Sequence, residues 1–183
     1  MAAKSKKSGD VRGQTKPVLA DSVSSTRRFY RLKILLIMGM VAEEFEKKNP
    51  VVSRTIVIRG DQTLEDLHDV IFKSHDRYDH HMYEFQFGKK PMDRKGVRYV
   101  MPMIFQDAFD DGGDQAAGSV DQTTIDSLTL KVGKSFFYWF DFGDDWWHQI
   151  EVEAIEESGP AGKYPKVVEK VGKSPPQYME MEE

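Results

Sequence analysis

The sequence predicts an α+β domain: a curled, mostly antiparallel sheet of about six or seven strands packed on one main helix. Three observations lead there. Short runs of apolar and polar alternation recur from residue 29 onward, the period of half-buried strands. Only residues 63–75 carry a clear apolar stripe at helical spacing. The strands do not alternate regularly with helices, as a parallel βαβ array would require. A chain of 183 residues is long enough for one such domain, which would bury roughly 70% of its unfolded surface.

The first strand begins at Phe29, where Tyr30, Leu32, Ile34 and Leu36 alternate with Arg31, Lys33, Leu35 and Ile37. Residues 39–50 (GMVAEEFEKKNP) are charged and close in Asn-Pro, so they read as a connection with room for one helical turn. Residues 51–60 (VVSRTIVIRG) are rich in β-branched side chains and form a second strand. The helix follows. Thr63, with Asp66 three residues on, forms a capping box; Leu64, Leu67, Ile71 and Phe72 make the stripe, which His68 and His75 share. Residues 81–87 (HMYEFQF) alternate again, with His81, Tyr83, Phe85 and Phe87 on one face and Met82 and Glu84 on the other. Residues 98–105 (RYVMPMIF) read as a strand that Pro102 confines to an edge or bulge. Residues 106–119 read as a loop and 123–132 as a short strand. In the last hairpin an aromatic run, 135–142 (SFFYWFDF), pairs with 146–154 (WWHQIEVEA), where Trp146, His148, Ile150, Val152 and Ala154 share a face.

Charge divides the chain. Residues 1–28 hold 7 Lys/Arg against 2 Asp, a charge of +5, whereas the remaining 155 residues hold 19 against 28, a charge of −9. Residues 1–28 have almost no large apolar side chains, so ordering them would cost entropy with little burial in return. They are expected to be a disordered basic tail, serving as a solubilising leader or as an arm that touches phosphates. The domain is placed at 29–177 and a frayed acidic tail at 178–183. No apolar run matches a signal peptide or a bilayer-spanning helix, so a cytoplasmic protein without membrane contact is expected. There is no Cys, which excludes disulfides, thiol nucleophiles and thiolate-bound metals. Phosphate-binding glycine loops and the nucleophile elbow are absent as well.

Five fragments in order resemble the plasmid Ri open-reading-frame-three-like family, whose members are also described as insertion-element passenger proteins. They are Thr63, Leu64, Leu67 and His68; residues 81–85 (HMYEF); residues 140–148 (FDFGDDWWH); Tyr164-Pro165; and Pro175-Pro176. The resemblance covers about residues 29–177, and the FGDDWWH segment is its most specific piece. It implies an α+β domain of uncharacterised activity with an association with mobile elements. This chain departs from the family pattern in three places: Ser53, Arg54 and Thr55 stand where a Trp-Arg-Arg is usual, Tyr78 or Asp79 where a Trp often precedes the HLYEF strand, and residues 173–177 (KSPPQ) where a Cys-containing PPED-like segment often closes the domain. A role for that terminal acid or thiol therefore does not carry over.

The candidate site gathers His81, Asp141, Asp144 and His148, flanked by Tyr83, Glu84 and Trp146. With a two-residue turn at Asp144 and Asp145, Asp141 stands opposite His148; a turn of different length brings Phe140 or Trp139 there instead. A carboxylate that holds one imidazole nitrogen frees the other to act as a base or metal ligand. Against this, Asp141 or Asp144 can cap turn amides and His148 can donate to a backbone carbonyl in an aromatic core. His81, Asp141 and His148 are the residues for a divalent metal, although no local H-x-x-x-H or H-x-H spacing marks one; no other cofactor is evident. His68 and His75 fall at core spacing. Asp107, Asp110, Asp111 and Asp114 lack the order of a calcium loop and read as a solvated face.

Three functional readings follow. The first is a non-catalytic binding or adaptor domain, whose cleft beside His81, Tyr83, Trp146 and His148 receives a peptide, a protein or a small ligand. The second is a metal-assisted hydrolase using His81, His148 and Asp141 or Asp144, with Glu84 as base. The third is DNA contact through residues 1–28, suggested by the charge of the tail and by the mobile-element association that the resemblance implies.

Overall fold

The computed structural model describes residues 27–93, 95–105 and 116–178. Residues 1–26 of the expected basic tail, most of the acidic loop and the last five residues of the expected acidic tail lie outside them. Strand β1 (Phe29–Met38) leads through helix α1 (Glu43–Lys48) to β2 (Ser53–Arg59), and helix α2 (Leu64–Ser74) leads to β3 (Tyr83–Phe87) and β4 (Val97–Val100). Then come β5 (Gly118–Ser119), a 3₁₀ turn (Ile125–Leu128), β6 (Ser135–Phe140), β7 (Trp146–Glu156) and β8 (Lys166–Val171).

All eight strands join one open sheet in the order β5-β4-β3-β6-β7-β1-β2-β8. Every pairing is antiparallel except β4 with β5, so the sheet is mixed. The α+β class stands, with two corrections: the strands number eight, and α1 and the 3₁₀ turn accompany α2. The missed strands are β5, which is two residues long, and β8, a charged and largely exposed edge with no alternation to betray it.

The alternation works as expected on β1, where Tyr30, Leu32 and Ile34 are buried, and on β7, where Trp146, His148, Ile150 and Val152 are. These meet Leu64, Leu67, Ile71 and Phe72 of α2 in one core. Two other expectations are corrected. Residues 98–105 are a strand only to Val100; residues 102–105 are helical, since Pro102 lacks an N–H for a ladder and suits a first helical turn. Residues 123–132 form no ladder strand: they hold the 3₁₀ turn at Ile125–Leu128 and one isolated bridge from Thr124 to Thr63.

The outer face of the central strands is buried too. Trp147 stacks on Trp139 at 4.8 Å, and Trp139 on Phe142 at 4.0 Å. Glu84, Gln86 and Phe137 are buried on the same strands. Among the described residues, no helix is long and apolar enough to cross a membrane.

Candidate functional site

The β6–β7 register decides which side chains meet. Tyr138 stands opposite His148, Trp139 opposite Trp147 and Phe140 opposite Trp146. The expected pairing of Asp141 with His148 is therefore wrong, because the turn is longer than two residues. Asp141 and Asp145 both adopt the left-handed region, φ 56° and 53°, which aspartate tolerates better than most residues. Asp141 Oδ1 accepts from the amides of Gly143 at 3.1 Å and Asp144 at 3.4 Å, so its role in the turn is a cap.

His148 is enclosed on the inner face, its ring 4.9 Å from His75 and 5.4 Å from Tyr138. Neither ring nitrogen has a close hydrogen-bond partner, although the backbone of Tyr138 and Trp146 lies near enough to favour the protonated ring. Burial, then His75 and Arg77, hold its pKa well below the ordinary imidazole value. His75 Nδ1 donates to the Ile71 carbonyl at 2.9 Å, which leaves a lone pair on Nε2 without a partner. Burial pushes its pKa down to about 3. Two turns earlier, His68 stacks on Tyr83 at 3.6 Å and its Nδ1 lies 2.7 Å from the Tyr138 hydroxyl. Burial holds His68 down to about 4.

His81 and Asp141 meet instead, the half-buried imidazole lying over the buried carboxylate. His81 Nε2 is 2.8 Å from the Tyr178 hydroxyl, 3.5 Å from Asp141 Oδ2 and 3.6 Å from Asp79 Oδ2. Tyr178 donates in turn to Asp79 at 2.6 Å, and this bond, with His81 beside it, lowers the Asp79 pKa. Glu84 belongs to the opposite face, where Arg98 forks onto its carboxylate and Gln86 donates at 2.5 Å. The predicted residues thus divide: Tyr83, Trp146 and His148 in the core, the half-buried His81 over the buried Asp141, Asp144 in the turn and Glu84 across the sheet. Among the described residues, no three His, Asp or Glu side chains are placed to hold a metal.

Two arginines that the sequence reading passed over organise this end of the molecule. Arg54 is fully buried on β2: Nε donates to the Ser74 carbonyl at 2.8 Å, Nη1 to the carbonyls of Ser53, Val171 and Gly172, and Nη2 to Ser174 Oγ. Arg77 lies 3.7 Å over the Trp146 ring, and its Nη1 reaches the Pro175 carbonyl at 3.4 Å. Residues 172–178 thereby become a strap across the end of α2. Gln177 fastens it, accepting from the amides of Tyr78 and Asp79 and donating to the Asp79 carbonyl. Arg54 had a signal, since it shares the period of buried Val52, Ile56 and Ile58.

Strap, hairpin and α2 all fall within residues 40–181, over which the chain matches the plasmid pRiA4b ORF-3-like proteins. It belongs to that family. A pRiA4b ORF-3-like chain is what the five sequence fragments implied, and four of them now have places: the α2 cap, β3, the β6–β7 hairpin and the strap. The uncharacterised protein y4hQ of Sinorhizobium fredii is 29% identical over 132 residues, 70% of this chain and 59% of that protein. The chain thus spans about 59% of the length of that relative. A protein of unknown function from Methanosarcina mazei, MM3350, shares the fold with a TM-score of 0.58 at 23% identity, covering 79% of this chain and 70% of that one. The family's biochemical function is uncharacterised.

Proposed function

We propose that this pRiA4b ORF-3-like chain is a non-catalytic binding domain that takes a short segment of a partner protein across α1 and the strap. An open apolar groove carries this reading. Met40, Val41, Phe45 and Pro176 line a depression of about 350 Å³. Val41 and Phe45 also border a second, of about 240 Å³, with Leu36, Met38 and Val52. Ile37, Met38 and Met40 are well exposed around it, and flexible methionines at a surface suit the docking of apolar side chains.

Charge selects the occupant. Glu44 and Glu46 line the groove on α1, with Lys48 as its basic counterpart, and the strap leads to Asp79 and Asp141 beside His81 and Tyr178. The partner segment is therefore one that sets Lys or Arg beside apolar residues. His81, half-buried beside the exposed Asp79 and backed by the buried Asp141, stands at the acidic end. Trp146, Tyr83 and His148 are buried in the core.

Selection of a random peptide library on the full chain tests this. Peptides that pair apolar with basic residues should be enriched, and Phe45→Glu should abolish their capture while leaving the circular dichroism unchanged. Enrichment of no motif, or capture indifferent to Phe45→Glu in a folded variant, overturns the reading.

A further inference from the structure

The end of α2 beneath the strap holds buried donors without acceptors. Arg77 is 6% exposed, yet its Nε and Nη2 meet nothing. Trp146 Nε1 also lacks a partner, and the His148 ring nitrogens have only the nearby backbone of Tyr138 and Trp146. A guanidinium stays charged and an indole N–H only donates, so the Arg77 and Trp146 atoms can be satisfied solely by lone pairs from elsewhere. A cation left this way in a protein interior is costly.

A second arginine of the same fold shows what such an edge is suited to. Arg98 presents Nε and Nη2 to Glu84, with contacts of 3.2 Å from Nε to each oxygen and 2.7 Å from Nη2 to Oε2. Arg77 offers the same edge. The acids that act on it through space include Asp141 and Asp144, but Asp141 is engaged by the turn amides through Oδ1 and faces His81 through Oδ2.

We propose that these donors bind a small carboxylate, held bidentately by Nε and Nη2 of Arg77, with Trp146 Nε1 and a ring N–H of His148 beside it. The chemistry favours carboxylate over phosphate. One guanidinium edge matches the two oxygens and single charge of a carboxylate. The second buried arginine, Arg54, already donates to four carbonyl and hydroxyl groups along the strap and the helix end. His75 and His148, held neutral by burial, add no positive charge. The strap covers the site through Pro175, so exchange of the ligand proceeds by release of residues 172–178.

The test uses the full chain, titrated with formate or acetate against chloride at constant ionic strength and followed by NMR at the Trp146 indole and Arg77 Nε resonances. Both should shift saturably. Arg77→Lys, which keeps the charge and removes the fork, should weaken binding at least tenfold. Trp146→Phe is the second variant where the lysine protein does not fold, and should weaken it several-fold. Absence of saturation in the unaltered protein, unchanged affinity in a folded variant, or phosphate binding as tightly as acetate each overturns the proposal. Phe45→Glu should leave the acetate titration unchanged, so this site and the groove stand or fall separately.

Discussion

The two ends of α2 solve the same problem by different means. At the N-terminus every early amide has a nearby partner: Thr63 N donates to Asp66 Oδ2 at 2.9 Å, Asp66 N to Thr63 Oγ1 at 3.2 Å, and Leu64 N and Glu65 N to the carbonyls of Thr123 and Val120. The C-terminus closes with a Schellman turn. Asp76, at φ 56°, lets Arg77 N reach the Phe72 carbonyl while its own N–H bonds to Lys73. There the Ser74 carbonyl takes the guanidinium of Arg54, brought from β2, where a cation also meets the negative end of the helix dipole. The first end is polar but complete. At the second end His75, Arg77, Trp146 and His148 keep unmatched polar atoms in the interior, and such atoms are what a binding site has and a finished structural cap lacks.

The largest effect should come from removing the cation that closes the second end. Arg54→Met leaves the Ser74, Val171 and Gly172 carbonyls and the Ser174 hydroxyl without their donor and frees the strap. It should cost about 3–5 kcal/mol, read as a lower urea midpoint. A loss below 1 kcal/mol would mean that water replaces the guanidinium and that the two ends are less different than their contacts suggest.

Acid should separate the ends next. His68 titrates near 4 and His75 near 3 in the folded chain, and His148 well below its ordinary value, all chiefly through burial. The unfolded chain takes up these protons near pH 6.5, so between there and the folded values it binds more protons than the native state. Stability is therefore fully present above about pH 6.5 and falls as the pH drops, by about 1.4 kcal/mol per pH unit for each such histidine. Urea unfolding from pH 4.5 to 7.5 should show this slope, and His75→Gln should reduce it by about one histidine's share. An unchanged slope would show that His75 is hydrated and titrates freely.

What could be read from the sequence follows the same division. The Thr63–Asp66 box, the Leu64–Leu67–Ile71 stripe and the inward face of β7 are patterns within a few residues, so periodicity and cap chemistry revealed them. The hairpin register was lost to two left-handed aspartates, 141 and 145, whose effect on turn length no hydrophobic pattern records. The site beneath the strap depends on contacts such as Arg77 to Pro175 and Tyr78 to Gln177, about a hundred positions apart. Glu84 alternated away from Tyr83 as expected, but its burial required Arg98 from the neighbouring strand. Hence periodicity turns the histidines inward, whereas the roles of Arg54 and Arg77 beside them rest on partners in the strap about a hundred positions away.

The smallest effect belongs to the completed end. Thr63→Ala removes the hydroxyl that accepts from Asp66 N, a loss of about 1 kcal/mol for an N-cap. The Leu64 and Glu65 amides keep the Thr123 and Val120 carbonyls, so the helix should fray only in its first turn. Hydrogen exchange should accelerate at Asp66 and Leu67 and stay unchanged at His75 and Arg77. The acetate response of the Trp146 indole should also be unaltered. If the cap variant altered that response, α2 would transmit changes along its length as a rigid lever, and its two ends could no longer be treated as independent.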